Sequence, residues 1–292
     1  MSPKTVRVRA PAKINFCLHV TGQRADGYHL IDSLVGFGPA FDSIDLRQSD
    51  EPEFEVIGPE AAGLPQDGTN LAQQALSACS NAPFSLTLTK SLPIASGIGG
   101  GSADAAAVFR ALQSLQPNAV NSDAKAHIQA LGADIAMCLH SIPLRAQGIG
   151  SDIKPLPNFP PLPIVLANPR IPVSTPAVFA RLKSKTNPPL PSSLPIWEDA
   201  SAFCDWLQDT RNDLETPAIA LHPEISTTLA ALTATGAKIA RMSGSGATCF
   251  AIYTNQAEAD QAAADLQRDH PSWWITSGLT DSTGTLAAPT TA

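Results

Sequence analysis

The sequence predicts an α+β protein of two domains. Residues 1–154 read as a β-rich α/β domain in which a glycine-rich loop leads into a helix, and residues 155–278 as an α+β domain. Three observations carry this. Apolar residues alternate at Val6, Val8 and Ala10 and again at Ile14, Phe16, Leu18 and Val20, the period of a strand. Four glycines between residues 97 and 101 separate a strand-like run from an amphipathic helix. Twelve of the chain's 26 prolines fall between residues 155 and 195, where missing N–H donors and restricted neighbours oppose helix and mark a junction. At 292 residues and 43% apolar, the chain has material for more than one core.

The elements follow in order. Ile44 and Leu46 continue the extended opening after Phe41-Asp42-Ser43, which reads as a turn. Leu71, Ala75 and Leu76 have helical spacing behind Thr69 or Asn70 as cap, and residues 84–88 alternate. After Ser102, residues Ala105, Val108, Phe109, Leu112 and Leu115 mark one helix face. The proline-dense stretch holds one strand-like run, 164–167, and one short helix, 175–182. Leu229 and Leu232 before Gly236 predict a helix. Residues 237–242 and 248–253 predict strands around a second glycine-rich turn, 258–266 a helix and 273–277 a last strand. Residues 279–292, rich in Thr, Ala and Ser without periodicity, predict a frayed tail.

Composition narrows the function. With 19 Lys+Arg against 26 Asp+Glu, the net charge of −7 opposes a polyanion-binding surface, so no nucleic acid partner is expected. No run approaches the ~20 apolar residues that cross a bilayer, so no membrane partner is expected either. Five scattered cysteines without a C-x-x-C pair suggest neither a disulfide framework nor a zinc site and fit a cytoplasmic protein.

The glycine loop has a chemical use. Phosphate oxygens need close backbone N–H donors, glycine removes the Cβ that blocks approach, and the following helix adds its dipole. The plainer alternative is a tight turn with Ser102 as N-cap. A Walker loop requires Gly-Lys-Ser/Thr, and no lysine follows here; the Rossmann spacing and its acidic partner are absent, as are protein-kinase signatures.

The segment Pro93-Ile94-Ala95-Ser96-Gly97-Ile98-Gly99-Gly100-Gly101-Ser102-Ala103-Asp104-Ala105-Ala106 resembles the P-x-x-x-G-L-G-G-G-S-S-D-A-A motif of the GHMP kinases. Ala10-Pro11-Ala12-Lys13-Ile14-Asn15-Phe16 with Arg24-Ala25-Asp26-Gly27-Tyr28-His29 resembles the first motif of the branch that acts on a cytidine diphosphate-linked methylerythritol. Leu131–Ile135, Arg211–Glu215 and Arg241–Phe250 are similar to three further blocks of that branch, in the same order. The resemblance departs at Ala103, where a second Ser is commoner, and at Ala136, where Pro is usual.

The resemblance implies the two-domain GHMP kinase fold and an ATP- and Mg²⁺-dependent kinase in isoprenoid biosynthesis, with Lys13 and Asp134 catalytic. Residues Pro93 to Ala103 would hold ATP. Asn15, Tyr28, His29, Lys90, Thr175 and Phe179 would hold a small-molecule substrate carrying a cytidine diphosphate group, with Tyr28 and Phe179 sandwiching the base. No protein ligand set for the metal stands out, and oligomeric state is left open. Read without it, Asp134 is a carboxylate in an apolar run that needs a partner cation or a helix-start role, and Lys13 a strand lysine. Another GHMP kinase acting on homoserine or a mevalonate-like acid, or a catalytically silent nucleotide-binding relative, is the alternative.

Overall fold

The computed structural model describes residues 4–117, 120 and 123–291. The chain opens with two long antiparallel strands, β1 (Thr5–Gln23) and β2 (His29–Gln48), and continues with β3 (Glu53–Ile57), α1 (Leu71–Cys79) and β4 (Phe84–Thr89). There follow α2 (Gly100–Leu115), α3 (Ala124–Ala130), α4 (Ile135–His140), β5 (Leu144–Gly148) and β6 (Asp152–Pro155). The second half runs β7 (Pro163–Asn168), α5 (Thr175–Ala180), α6 (Ala200–Gln208), α7 (Glu215–Leu221), α8 (Glu224–Ala234), β8 (Ile239–Met242), β9 (Cys249–Ile252), α9 (Gln256–Asp269), β10 (Trp274–Leu279) and a terminal β11 (Thr290–Thr291).

Two sheets result. The first has the order β11-β1-β2-β4-β3, with β5 paired to β2 and β6 to β5; the second is the antiparallel sheet β10-β7-β9-β8. In the first core, Val8, Ile44, Leu46, Leu86 and Leu88 meet Ala105, Val108 and Leu112 of α2, whose alanine-rich first turns let the helix lie close to the strands. β1 serves both halves. Its Phe16 ring packs on Phe159, Phe203 and Phe250 at 5.8, 5.2 and 5.8 Å, and Leu18 and Val20 join Val165, Ala167 and Val178. The pairing of β1 with β2 slips between Pro11 and Lys13 and between Asn15 and Cys17, irregularities of the kind that re-aim side chains near a site.

Three sequence expectations are corrected, and two helices are added. Phe41-Asp42-Ser43 is no turn: β2 runs through it, and Asp42 is fully buried because its carboxylate accepts hydrogen bonds from the Ser91 and Leu92 N–H groups. Helix α2 starts at Gly100, two residues earlier than its apolar face suggests, capped by Gly99 in the left-handed region at φ 64°. Helices α6 and α7 follow the proline-dense stretch without having been legible in it; α6 is capped by Asp199, which accepts from the Ala202 N–H. The described part of the expected tail is a strap across the first sheet. Asp281 N–H donates to the Phe37 carbonyl, the Asp281 carboxylate accepts from the N–H groups of Thr283, Gly284 and Leu286, and β11 pairs with β1. These tertiary hydrogen bonds leave no mark on hydrophobic periodicity.

Candidate active site

The site grows from two glycine-rich turns packed backbone against backbone. Gly97 and Gly99 have φ of 76° and 64°, which a Cβ would strain. A Cβ on Gly97 would also sit 2.5 Å from the Ser243 carbonyl oxygen and 2.6 Å from the Gly246 nitrogen. The Ser243-Gly244-Ser245-Gly246-Ala247 turn therefore buttresses the first loop: Ser243 Oγ donates to the Gly97 carbonyl, and Thr248 N–H to that of Ser96. Ser102 lies in the first turn of α2 and makes no capping hydrogen bond, so the plainer N-cap reading does not hold.

Lys13 reaches this loop from β1. Its N–H donates to the Ile98 carbonyl at 2.8 Å, and its buried ammonium lies 3.3 Å from Asp134 Oδ2 while donating to Asn15 Oδ1. Asn15 is fixed in turn: its Nδ2 donates to Ser33 Oγ and its N–H to Ser243 Oγ. Asp134 stands at the N-cap position of α4 but makes no cap bond. Its side chain is 39% exposed against 3% for Lys13, so a buried cation faces a carboxylate open to a ligand.

Lys90 is placed differently from expectation. Its ammonium lines the cavity but is buried between Asp42 and Asp104, at 2.5 and 3.0 Å, so two carboxylates already hold it. Burial opposes the Lys90 charge, but Asp104 and Asp42 outweigh it and its pKa rises. Burial drives Asp104 well above the usual carboxylate range, with Lys90 pulling the other way, and Asp104 Oδ1 has no hydrogen-bond partner. The sequence reading missed both carboxylates. Asp104 lay inside the quoted motif, and the signal for Asp42 was a single acid within the mostly apolar run 35–44.

A cavity of about 1170 Å³ joins these groups, above the roughly 300–1,000 Å³ usual for one small ligand. Residues Pro93–Gly97 and Gly99–Ser102 line it, whereas Ile98 and Ala103 are buried in the core behind. One part of its wall carries Ile94 of the glycine-loop motif together with Leu64, Pro65, Leu71 and Leu88, apolar residues outside every motif; another carries Tyr28, His29, Phe179 and Lys185. The ring stacked on Phe179 is His29, at 4.6 Å and 23°, rather than Tyr28, which is 59% exposed. His29 Nε2 is buried with no partner, and burial, with Lys185 beside it, lowers the imidazole pKa. Thr175 Oγ1 lies 2.7 Å from Ser245 Oγ, which joins α5 to the second glycine turn. Among the described residues no cluster of three or more His, Cys, Asp or Glu side chains is arranged to hold a metal.

Comparison with known proteins places the chain in a family. Residues 69–142 match the family model "GHMP kinases N terminal domain" and residues 197–272 match "GHMP kinases C terminal". A 4-diphosphocytidyl-2-C-methyl-D-erythritol kinase of Roseobacter denitrificans is 50% identical over 277 residues, covering 94% of this chain and 93% of the relative. One of Ruegeria pomeroyi is 49% identical, covering 92% of this chain and 97% of the relative. A crystal structure of 4-(cytidine 5'-diphospho)-2C-methyl-D-erythritol kinase superposes with a TM-score of 0.76 at 30% identity, covering 94% of this chain and 99% of that one. A homoserine kinase from Cytophaga hutchinsonii shares the fold at a TM-score of 0.65 and 18% identity, covering 99% of this chain and 97% of that one.

Proposed function

The chain belongs to the GHMP kinases, in the family of 4-diphosphocytidyl-2-C-methyl-D-erythritol kinases, and from that premise we propose how it works. It transfers the γ-phosphoryl group of ATP to the 2-hydroxyl of 4-diphosphocytidyl-2-C-methyl-D-erythritol, a step of the non-mevalonate isoprenoid route. The observation that carries the chemistry is the Lys13–Asp134 pair, 3.3 Å apart at the mouth of a phosphate-sized glycine loop.

The triphosphate lies along the Pro93–Ser102 loop, where N–H groups freed of neighbouring Cβ atoms and the start of α2 supply positive potential. The adenine side is the apolar wall of Leu64, Pro65 and Leu71. The substrate hydroxyl sits by Asp134. As its oxygen attacks the γ-phosphorus, the bond to the bridging oxygen breaks, the hydroxyl proton passes to Asp134, and ADP leaves. Lys13 holds the Asp134 side chain in place through their 3.3 Å ion pair, and balances charge that spreads onto the phosphoryl oxygens.

The Ser102 hydroxyl would be the side-chain oxygen that helps the ATP phosphates hold Mg²⁺, which would supply neutralisation of phosphate charge. The cytidine base occupies the end marked by Tyr28, His29 and Phe179, where stacking contributes on the order of 1–3 kcal/mol. The buried, unpartnered His29 Nε2 supports a base edge there. Five free, buried cysteines are in keeping with a reducing, cytosolic setting.

The test is ADP release with the cytidine-linked methylerythritol beside homoserine and mevalonate. Turnover with the first alone is expected; equal turnover with either acid would overturn the substrate assignment.

A further inference from the structure

The proposed substrate and ATP together bring two polyphosphate groups into one cavity, and the cavity's own charges are mostly spent. Its described lining holds three ammonium groups. Lys13 is committed to Asp134, and Lys90 lies between Asp42 and Asp104, which together outnumber it. Asp26, also in the lining, is matched by Arg24 at 2.7 Å. Lys185 differs. Its Nζ donates only to the neutral Gln23 Oε1, at 3.1 Å, and it has no carboxylate partner among the described residues.

Lys185 is held near the nucleotide end by its surroundings. Two residues on, Asn187 N–H donates to the Val20 carbonyl, and its side-chain amide donates to the Val20 carbonyl and to Asp213 Oδ2. This pins the 184–187 segment to the end of β1. Gln23, from the same strand end, donates to the Gly27 carbonyl and so ties Lys185 to the turn that carries Tyr28 and His29. The lysine's field is felt at the His29 ring, which is stacked on Phe179.

We propose that Lys185 is a substrate-recognition residue whose ammonium pairs with the diphosphate of the cytidine-linked substrate, exchanging Gln23 for phosphate oxygen when substrate binds. This rests on the reading of the Tyr28–His29–Phe179 end as the base site. The glycine loop's N–H groups serve ATP, and Lys185 supplies the counter-charge for the second polyphosphate.

Steady-state kinetics and competition test it. Lys185→Met should raise KM for the cytidine-linked substrate about tenfold, with kcat and the KM for ATP changed less than twofold, and Lys185→Arg should restore most of the loss. The defect should shrink at 0.5 M salt, as screening reaches an exposed ion pair. Inhibition by cytidine diphosphate should weaken in Lys185→Met, whereas inhibition by cytidine should not. Lys183→Met, two residues away and outside the cavity, is the control. Equal weakening of both inhibitors, or none, overturns the diphosphate contact while leaving the base site standing. If cytidine diphosphate fails to inhibit the parent enzyme, the base-site reading falls, and the Lys185 proposal with it.

Discussion

Two lysine–carboxylate groups flank the same glycine loop, and one of them is far more open to water than the other. Lys13 meets a single carboxylate, Asp134, whose side chain is 39% exposed; Lys90 meets two, Asp42 and Asp104, at 0% and 4%. Consecutive glycines divide them. A Cβ on Gly99 would lie 3.0 Å from Lys13 Cε, and one on Gly100 would lie 3.3 Å from Lys90 Nζ. The same residue types thus have opposite uses. A carboxylate open to the cavity is able to exchange a proton with a bound alcohol. Carboxylates sealed with their cation instead fasten the end of β4 and the start of α2, and so set the loop's position.

The largest expected effect separates the two groups directly. Asp134→Asn should lower kcat by about 10²–10⁴-fold, the span of positioned acid–base groups, with ATP affinity and unfolding midpoint nearly unchanged. Parental turnover would remove Asp134 from the chemistry. Lys90→Met should do the reverse. It leaves two buried carboxylates without their cation and should cost about 3–5 kcal/mol in urea unfolding, the scale for breaking a buried pair; unchanged stability would show that water reaches the cluster.

The glycines sharpen the contrast with a smaller effect. Gly99→Ala adds a side chain at φ 64° against Lys13, so kcat/KM should fall about tenfold or more, while Gly100→Ala, in helical conformation, should cost much less. Equal losses would mean that the two positions do not report on different clusters.

The finest test is pH. Asp104 in the folded protein keeps its proton to a higher pH than it does unfolded, because burial outweighs the pull of Lys90. As pH rises from the usual carboxylate range towards the raised folded value, the native state therefore holds a proton that the unfolded chain has lost, and stability from this group declines. Unfolding midpoints from pH 5 to 8.5 should drop more for the parent than for Asp104→Asn; parallel curves would place the ionised form in the fold.

Much of the site was legible because it is made of local chain. The glycine run before α2 shows in the sequence because a phosphate loop needs absent side chains at adjacent positions. Lys13, Asp134 and their partnership came from motif resemblance; Asp134's setting, an acid in an apolar run, asked only for some partner cation. Lys90 stands just before the loop, but its carboxylate partners were not legible, because they lie 48 positions before it and 14 after it. Lys185, Leu64 and Pro65 were silent for a related reason: isolated residues in loops carry no period.

The sequence by itself determined which segments become strands and helices over most of the chain, where the backbone is stripped for phosphate, and which family the chemistry belongs to. Those properties depend on neighbours a few residues apart, through periodicity, capping and glycine conformation. Tertiary structure alone decided which lysine stays available and which is neutralised, that His29 rather than Tyr28 stacks on Phe179, and that residues 281–291 strap the first sheet. Each depends on side chains brought together across long separations, and on how far burial removes them from water.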